Sequence, residues 1–386
     1  PGEMLELNQH TGLSSKREYW DIPQGCELGS LAPTEWEDAV DEKLTECVRR
    51  QLVSDVPLGA FLSGGVDSSL IAASMNQPET FSIGFEDPTY NELPYSRTVA
   101  NHLQTNHHTE VVNADVAELF DRLLYLLDDP IGDFSIFPTY LLSKVARQRV
   151  TVALSGDGGD ELFGGYETYV ADGLAQSYGR LPNWLRSAIL EPAIGRLRPR
   201  SAKKGLINKA LRFMEGLGHD KALAHARWRL FVGELARNQL FTIDALDQME
   251  TSVGAHIYEL HRKAGPRDQV NTNLYVDCKS YLPDNILTKV DRMSMGVSLE
   301  TRVPFLDKEL VSMAFAMPGD LKIRKRHSKF LLKRVAALHV PHECFYRAKV
   351  GFCIPMKAWL NSRFTPLLEE LTSRKRLEAE GLFSWR

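Results

Sequence analysis

The sequence predicts an α/β fold: a parallel sheet covered on both faces by helices over about 55–165, then a largely helical part over about 166–386. Three observations predict it. Short apolar runs at 58–62, 80–84, 108–112 and 150–154 end in glycine or polar loops. Each run is followed by a stretch long enough for a crossover helix, the pattern that makes neighbouring strands parallel. Beyond Tyr166 the strand patterns fade while helical spacing continues.

In chain order, residues 1–32 read as a linker with short extended pieces, punctuated by the turn signals Pro1-Gly2, Thr11-Gly12 and Pro23-Gln24-Gly25. Thr34-Glu35-Trp36-Glu37 has the form of a capping box, in which two side chains satisfy each other's orphan backbone N–H. Trp36, Val40, Leu44, Val48 and Leu52 then mark one buried stripe of a helix over 34–53. The stretch 115–127, with Val116, Leu119, Phe120, Leu123, Leu124 and Leu127, is a second amphipathic helix. Later helices are interrupted by Pro or Gly near 182, 192, 199 and 266. Residues 180–212 carry nine basic residues and one acidic one, read as a solvated helical face.

Composition excludes several classes. The 386 residues carry 46 Lys plus Arg against 50 Asp plus Glu, a net charge of −4, with 43% hydrophobic and 25% charged residues. That is ordinary for a globular protein, not a disordered or collagen-like chain. The sign argues against a nucleic-acid partner, because phosphate attraction needs an excess of Lys and Arg. No apolar run approaches the ~18 residues that span a bilayer, so no membrane partner is expected. Five cysteines (Cys26, Cys47, Cys278, Cys344, Cys353) form no CxxC pair and are odd in number. They read as reduced thiols, and the expected location is cytoplasmic. A start at Pro1 suggests a piece of a longer chain.

Two loops carry the chemistry. In Leu58-Gly59-Ala60-Phe61-Leu62-Ser63-Gly64-Gly65-Val66-Asp67-Ser68-Ser69-Leu70 a buried strand ends at Leu62 and a helix begins near Asp67. Glycines let the backbone approach an anion, the helix N-terminus aims N–H groups at it, and Ser63, Ser68 and Ser69 add hydroxyl donors. No GxxxxGK[ST] lysine is present, so this is a phosphate cradle of another kind. Asp67 would repel phosphate unless a metal lies between, which implies Mg²⁺. The second loop, Val152-Ala153-Leu154-Ser155-Gly156-Asp157-Gly158-Gly159-Asp160-Glu161-Leu162-Phe163-Gly164-Gly165-Tyr166, is again a strand end followed by glycines and acids. Ligands sit outside the carboxyl ends of such strands.

With these motifs the chain resembles the asparagine synthetase (glutamine-hydrolysing) family, in its C-terminal synthetase domain, within the ATP pyrophosphatase superfamily. SGGVDSS matches that superfamily's pyrophosphate loop. Lys289-Val290-Asp291-Arg292-Met293-Ser294-Met295 with Leu299-Glu300-Thr301-Arg302-Val303-Pro304-Phe305-Leu306-Asp307, and Arg347-Ala348-Lys349-Val350-Gly351-Phe352, follow in family order. The resemblance covers about 33–386. It implies an adenine nucleotide alpha-hydrolase-like (PP-loop, HUP-type) core, with 1–32 as the linker after an N-terminal glutaminase domain.

The resemblance also implies roles. ATP would be bound by Leu62, Ser63, Gly64, Gly65, Asp67, Ser68 and Ser69, by the backbone of Ile83, and by Ser155 and Gly156. Asp67 and Asp160 would hold Mg²⁺. Lys349 would contact the phosphates as pyrophosphate leaves, and Glu300 and Arg302 would orient the amino-acid substrate or form a buried structural ion pair. Asp157 stands where the best-known members carry Glu, implicated in making and using the acyl-adenylate; some bacterial members carry Asp. The implied reaction adenylates the β-carboxylate of aspartate, then uses ammonia to form asparagine. A homodimer is compatible with it. Two other readings stand beside it: another adenylating enzyme on the scaffold (β-lactam synthetase-like or tRNA-modifying), or a non-catalytic ATP-binding module. His102, His107 and His108 read as structural or substrate-side, and Asp128, Asp129 and Asp133 as a helix-ending loop.

Overall fold

Three strands continue into the loops that matter, and their order sets everything else. In a computed structural model, β3 (Leu58–Phe61), β4 (Glu79–Gly84), β5 (Asn106–Val111), β6 (Val152–Leu154) and β7 (Glu300–Arg302) form one sheet in the order β5-β4-β3-β6-β7. Every neighbouring pair in it is parallel. The structure describes residues 2–24, 31–87, 91–112, 116–195, 213, 221–227, 229, 232, 234–249, 254–346, 360–361 and 364–385. The four apolar runs are four of these strands, with ends shifted by one or two residues. The fifth strand, Glu300-Thr301-Arg302, has no apolar run to announce it.

The strands alternate between two cores, as a period of two requires. Ala60, Leu62 and Leu154 pack with α1 (Pro33–Gln51), α2 (Val66–Ala73) and the later helices α11 (Lys308–Ala316) and α12 (Phe330–His339). Phe61, Phe81, Ile83 and Ala153 face the other way. They meet α4 (Val116–Leu127), α5 (Ile136–Arg147) and α10 (Thr288–Met295). Remaining crossover elements are α3 (Leu93–Leu103) and the short α6 (Gly159–Phe163). The helical part adds α7 (Glu167–Gly179), α8 (Lys221–Ala226) and α9 (Gln269–Lys279).

Helix α1 buries Trp36, Val40, Leu44 and Val48, the expected stripe. Its start differs from the capping box placed at Thr34. The helix begins at Pro33, and Ala32 N donates to Glu35 Oε2 at 2.6 Å. Proline has no N–H to satisfy and a fixed φ, so it suits the first helical position and moves the start upstream.

The extended pieces of the linker pair with each other as an antiparallel hairpin, β1 (Glu3–Leu7) with β2 (Ser14–Glu18). The segment after it is tied to the body. Tyr275 donates to Asp21 Oδ2 at 2.7 Å, and Arg267 Nη2 donates to the carbonyls of Ile22 (2.8 Å) and Pro23 (2.9 Å). Cys47 and Cys344 are buried; Cys26 and Cys353 lie outside the described residues, as does most of 180–212. Among the described residues no helix is long and apolar enough to cross a membrane.

Candidate active site

The site is assembled where β4, β3 and β6 end. Leu62 N donates to Phe81 O at 2.9 Å, the last rung before β3 turns into the glycine loop. Gly64 takes φ +70°, a left-handed conformation that glycine adopts without penalty. A Cβ there would also meet Tyr95 C at 2.5 Å, at the start of α3. Gly65 then precedes α2 with no side chain capping the helix, so its N-terminus stays open to a ligand. Ser63 and Ser68 close the loop on itself: Ser63 N donates to Ser68 Oγ at 3.2 Å, the two hydroxyls lie 3.0 Å apart, and Gly65 N donates to Ser63 Oγ at 3.2 Å. Ser69 is buried one residue on.

Ile83 is buried in β4, two residues beyond Phe81. Because a strand's backbone groups alternate sides, its N–H and C=O point the same way as those of Phe81, past the point where β3 has left the sheet. Backbone at that position borders the mouth of the loop.

The second loop leans directly on the first. Ser155 N donates to Arg302 O at 2.8 Å, which extends the β6–β7 pairing by one residue. Ser155 Oγ donates to Asp157 Oδ2 at 2.6 Å, which fixes that carboxylate beside Gly156. A Cβ on Gly156 would stand 3.0 Å from Ser68 N, and one on Gly159 2.6 Å from Asp67 Oδ1. These glycines are therefore required by the contact between the loops. Gly158, at φ +82°, turns the chain into α6, which carries Asp160.

Asp67 and Asp160 converge on a single cation. Lys329 Nζ lies 2.5 Å from Asp67 Oδ2 and 2.5 Å from Asp160 Oδ1. Lys329 is only 5% exposed. Burial alone would lower its pKa, but the two carboxylates outweigh that and hold it well above the ordinary lysine value. The pair can thus share one positive centre. Two carboxylates converging on one cation position are a donor set Mg²⁺ takes at nucleotide sites, so these residues fit that ion. Lys329 was not among the sequence-derived candidates. It sits in His327-Ser328-Lys329-Phe330, where no spacing separates it from other basic residues nearby. A local hint exists only in the backbone, since Lys329 takes φ +51° just before α12.

Next to Asp160, Glu161 is 1% exposed and accepts from Tyr166 at 2.5 Å. Burial, reinforced by the neighbouring Asp160 charge, pushes its pKa up to about 7. Behind it Arg229 lies over the rings of Tyr281 (3.9 Å to the centroid) and Tyr166 (4.7 Å) and reaches Asp277 Oδ2 at 2.5 Å. His225 completes this buried network, 2.5 Å from Asp172 Oδ2 and 2.8 Å from Asp277 Oδ2. Asp160, Glu161 and Tyr166 lie in the second glycine loop, but Asp172, His225, Arg229, Asp277 and Tyr281 lie in no motif and come from distant segments.

Other candidates have different surroundings. Arg302 Nε donates to Glu300 Oε1 at 2.6 Å, and its Nη1 donates to the carbonyls of Gln51 (2.7 Å) and Val53 (2.8 Å). That arrangement ties β7 to the end of α1; the glycine loops are not among these contacts. His107 Nδ1 lies 2.9 Å from Thr80 Oγ1, His108 Nε2 2.6 Å from Glu79 Oε2, and His102 Nε2 3.1 Å from His339 O. Asp133 accepts from Ser135 N at 2.9 Å and pairs with the buried Lys289 at 3.0 Å, a helix-start contact joined to an ion pair. Lys349 lies outside the described residues.

The chain matches the family model described as asparagine synthase over residues 39–385. It is similar to asparagine synthetase [glutamine-hydrolyzing] 1 of Bacillus subtilis (strain 168), with 30% identity over 347 residues, 88% of this chain and 53% of that protein. A putative asparagine synthetase [glutamine-hydrolyzing] of Mycobacterium tuberculosis is 32% identical over 332 residues, 84% of this chain and 49% of its own length. Amidase chyE of Penicillium rubens is 24% identical over 430 aligned positions, covering 100% of this chain and 62% of that protein. The chain spans about half the length of the two synthetases.

Proposed function

Because the chain belongs to the asparagine synthase family, we propose that it is the ATP-dependent half of an asparagine synthetase, a ligase that cleaves ATP to AMP and pyrophosphate. The observation that carries this reading is the meeting of the two glycine loops at the ends of β3 and β6, with Asp67 and Asp160 aimed at one cation position. A loop built to contact phosphate at its backbone, without a Walker lysine, suits release of pyrophosphate as a unit.

In this reading the backbone and hydroxyls of 62–69 bind the phosphates, Ile83's main chain borders the adenine, and Ser155 and Gly156 line the AMP part. Asp67 and Asp160 would hold Mg²⁺, which would supply neutralising charge for the phosphates. An oxygen of the aspartate β-carboxylate attacks the α-phosphorus, the bond to the β-phosphate oxygen breaks, and pyrophosphate leaves. The ammonia nitrogen then attacks the acyl carbon, the C–O bond to AMP breaks, and one nitrogen-bound proton must go to a base. Asp157, which accepts from Ser155 Oγ, would take that proton. Lys349 takes its phosphate-contacting role from its motif alone. In a full-length relative a glutaminase domain would supply the ammonia, in the cytoplasm; homodimer formation is part of the same proposal.

The test is product analysis of the 386-residue chain with ATP, Mg²⁺, aspartate and ammonium. AMP, pyrophosphate and asparagine are expected, and ADP with phosphate would overturn the reading. Glutamine in place of ammonium should give no amide. A screen of ATP–pyrophosphate exchange over amino acids and their analogues fixes the acid substrate.

A further inference from the structure

Resting on that reading, we infer that Lys329 is a built-in stand-in for the divalent ion: in the nucleotide-free protein its ammonium holds Asp67 and Asp160 together, and the metal enters by displacing it. Three observations lead there. The ammonium is 2.5 Å from an oxygen of each carboxylate, so it occupies the position a bridging cation would take. Magnesium needs oxygens at about 2.0–2.1 Å, and a metal and an ammonium cannot both stand between the same two oxygens. The side chain is also built into its place. It is buried, it leaves a backbone position of φ +51°, and its Cε and the Asp160 carboxylate share the space that a Cβ on Gly165 would take.

The consequence is an order of events. Without nucleotide, a divalent ion would have to expel a buried ammonium that has no other anion described beside it. With nucleotide present, the phosphates offer that ammonium a new counter-charge as the ion enters. The bare protein should therefore bind metal weakly, and the lysine should set that weakness. Lys329 is in this sense a positioning residue: it keeps two like charges at metal-bridging distance until the exchange.

The experiment measures Mn²⁺ binding to the nucleotide-free chain by electron paramagnetic resonance, with thermal melting in millimolar Mg²⁺ as a second readout. Lys329→Gln should bind Mn²⁺ about tenfold tighter or more than the wild type, as removal of a buried, directly competing charge implies. Its melting temperature should rise with Mg²⁺, while that of the wild type stays flat. Adding Asp67→Asn to Lys329→Gln should remove the gain. Lys329→Arg keeps the cation and should behave like the wild type. If Lys329→Gln does not fold alone, it should fold when Mg²⁺ is present during refolding. Equal Mn²⁺ affinity in Lys329→Gln and wild type, equal Mg²⁺ stabilisation of both, or no rescue of an unfolded Lys329→Gln by Mg²⁺ would each overturn the inference. Wild-type turnover to AMP and pyrophosphate is scored separately: its absence with the metal results intact would sink the functional reading and leave the cation exchange standing.

Discussion

Asp157 and Glu161 lie four residues apart around α6 and have opposite environments. Asp157 is half-exposed and accepts from Ser155. Asp157→Ala is expected to keep ATP–pyrophosphate exchange with aspartate and to lose amide formation by roughly 10²–10⁴, the usual weight of one acid–base group. Near-normal turnover in Asp157→Asn would reduce the residue to a turn former. Glu161 is buried, and its folded pKa is raised from 4.5 to about 7. For a carboxyl raised on folding, the native state holds the extra proton in that interval, so stability falls as pH rises from about 4.5 to 7. Glu161→Gln should flatten that part of the melting-temperature profile; an unchanged slope would mean that another group titrates. Both carboxyls stand in a legible motif, but their difference in burial was not visible there. Lys329 was hidden for a further reason: it meets Asp67 across 262 positions of sequence, and no local pattern encodes such a pair.

At the scale of elements, backbone shape and buried charge decide what can change. Gly64→Ala would force a left-handed residue against Tyr95, so it should lower stability and raise the KM for ATP together. Denaturant unfolding and initial rates check this, and an unchanged KM would place the phosphates elsewhere. Between α7, α8 and α9, burial alone would push His225 down, but Asp277 and Asp172 hold it up at about 9. A raised histidine stabilises fully below its unfolded value of 6.5, and that contribution disappears as pH rises through about 9. His225→Gln should therefore cost about 1–3 kcal/mol near neutral pH, since it removes the cation that Asp172 and Asp277 share while Arg229 still pairs with Asp277. Its melting curve should lose the decline between pH 6.5 and 9; a parallel decline in both proteins would refute the assignment. Helices with a clear stripe, α1 and α4, were legible because packing follows periodicity. Their ends were less so: Pro33 and Glu35, not Thr34, start α1.

For the whole molecule, β3, β4 and β6 could be read from apolar runs because a strand buried on both faces must be apolar, whereas β5 is a partly exposed, largely polar edge strand. β7 could not, since Glu300-Thr301-Arg302 is polar and earns its place through pairing with β6 and the anchoring of Arg302 on Gln51 and Val53. That late strand also fixes when the protein can become itself during synthesis. β3, β4, β5 and β6 all leave the ribosome before residue 160, yet β6 remains a bare edge until residues 300–302 arrive, and Lys329 follows later still. Through that interval the nascent chain displays an unsatisfied row of backbone donors and acceptors next to an unfinished candidate site. Long-range parallel pairing of this kind is slow and exposes chains to misassociation. Chains stalled before residue 300 should accordingly recruit chaperones and retain no nucleotide, whereas chains extended past α12 should be released from them; ribosome-bound intermediates of graded length would show the change.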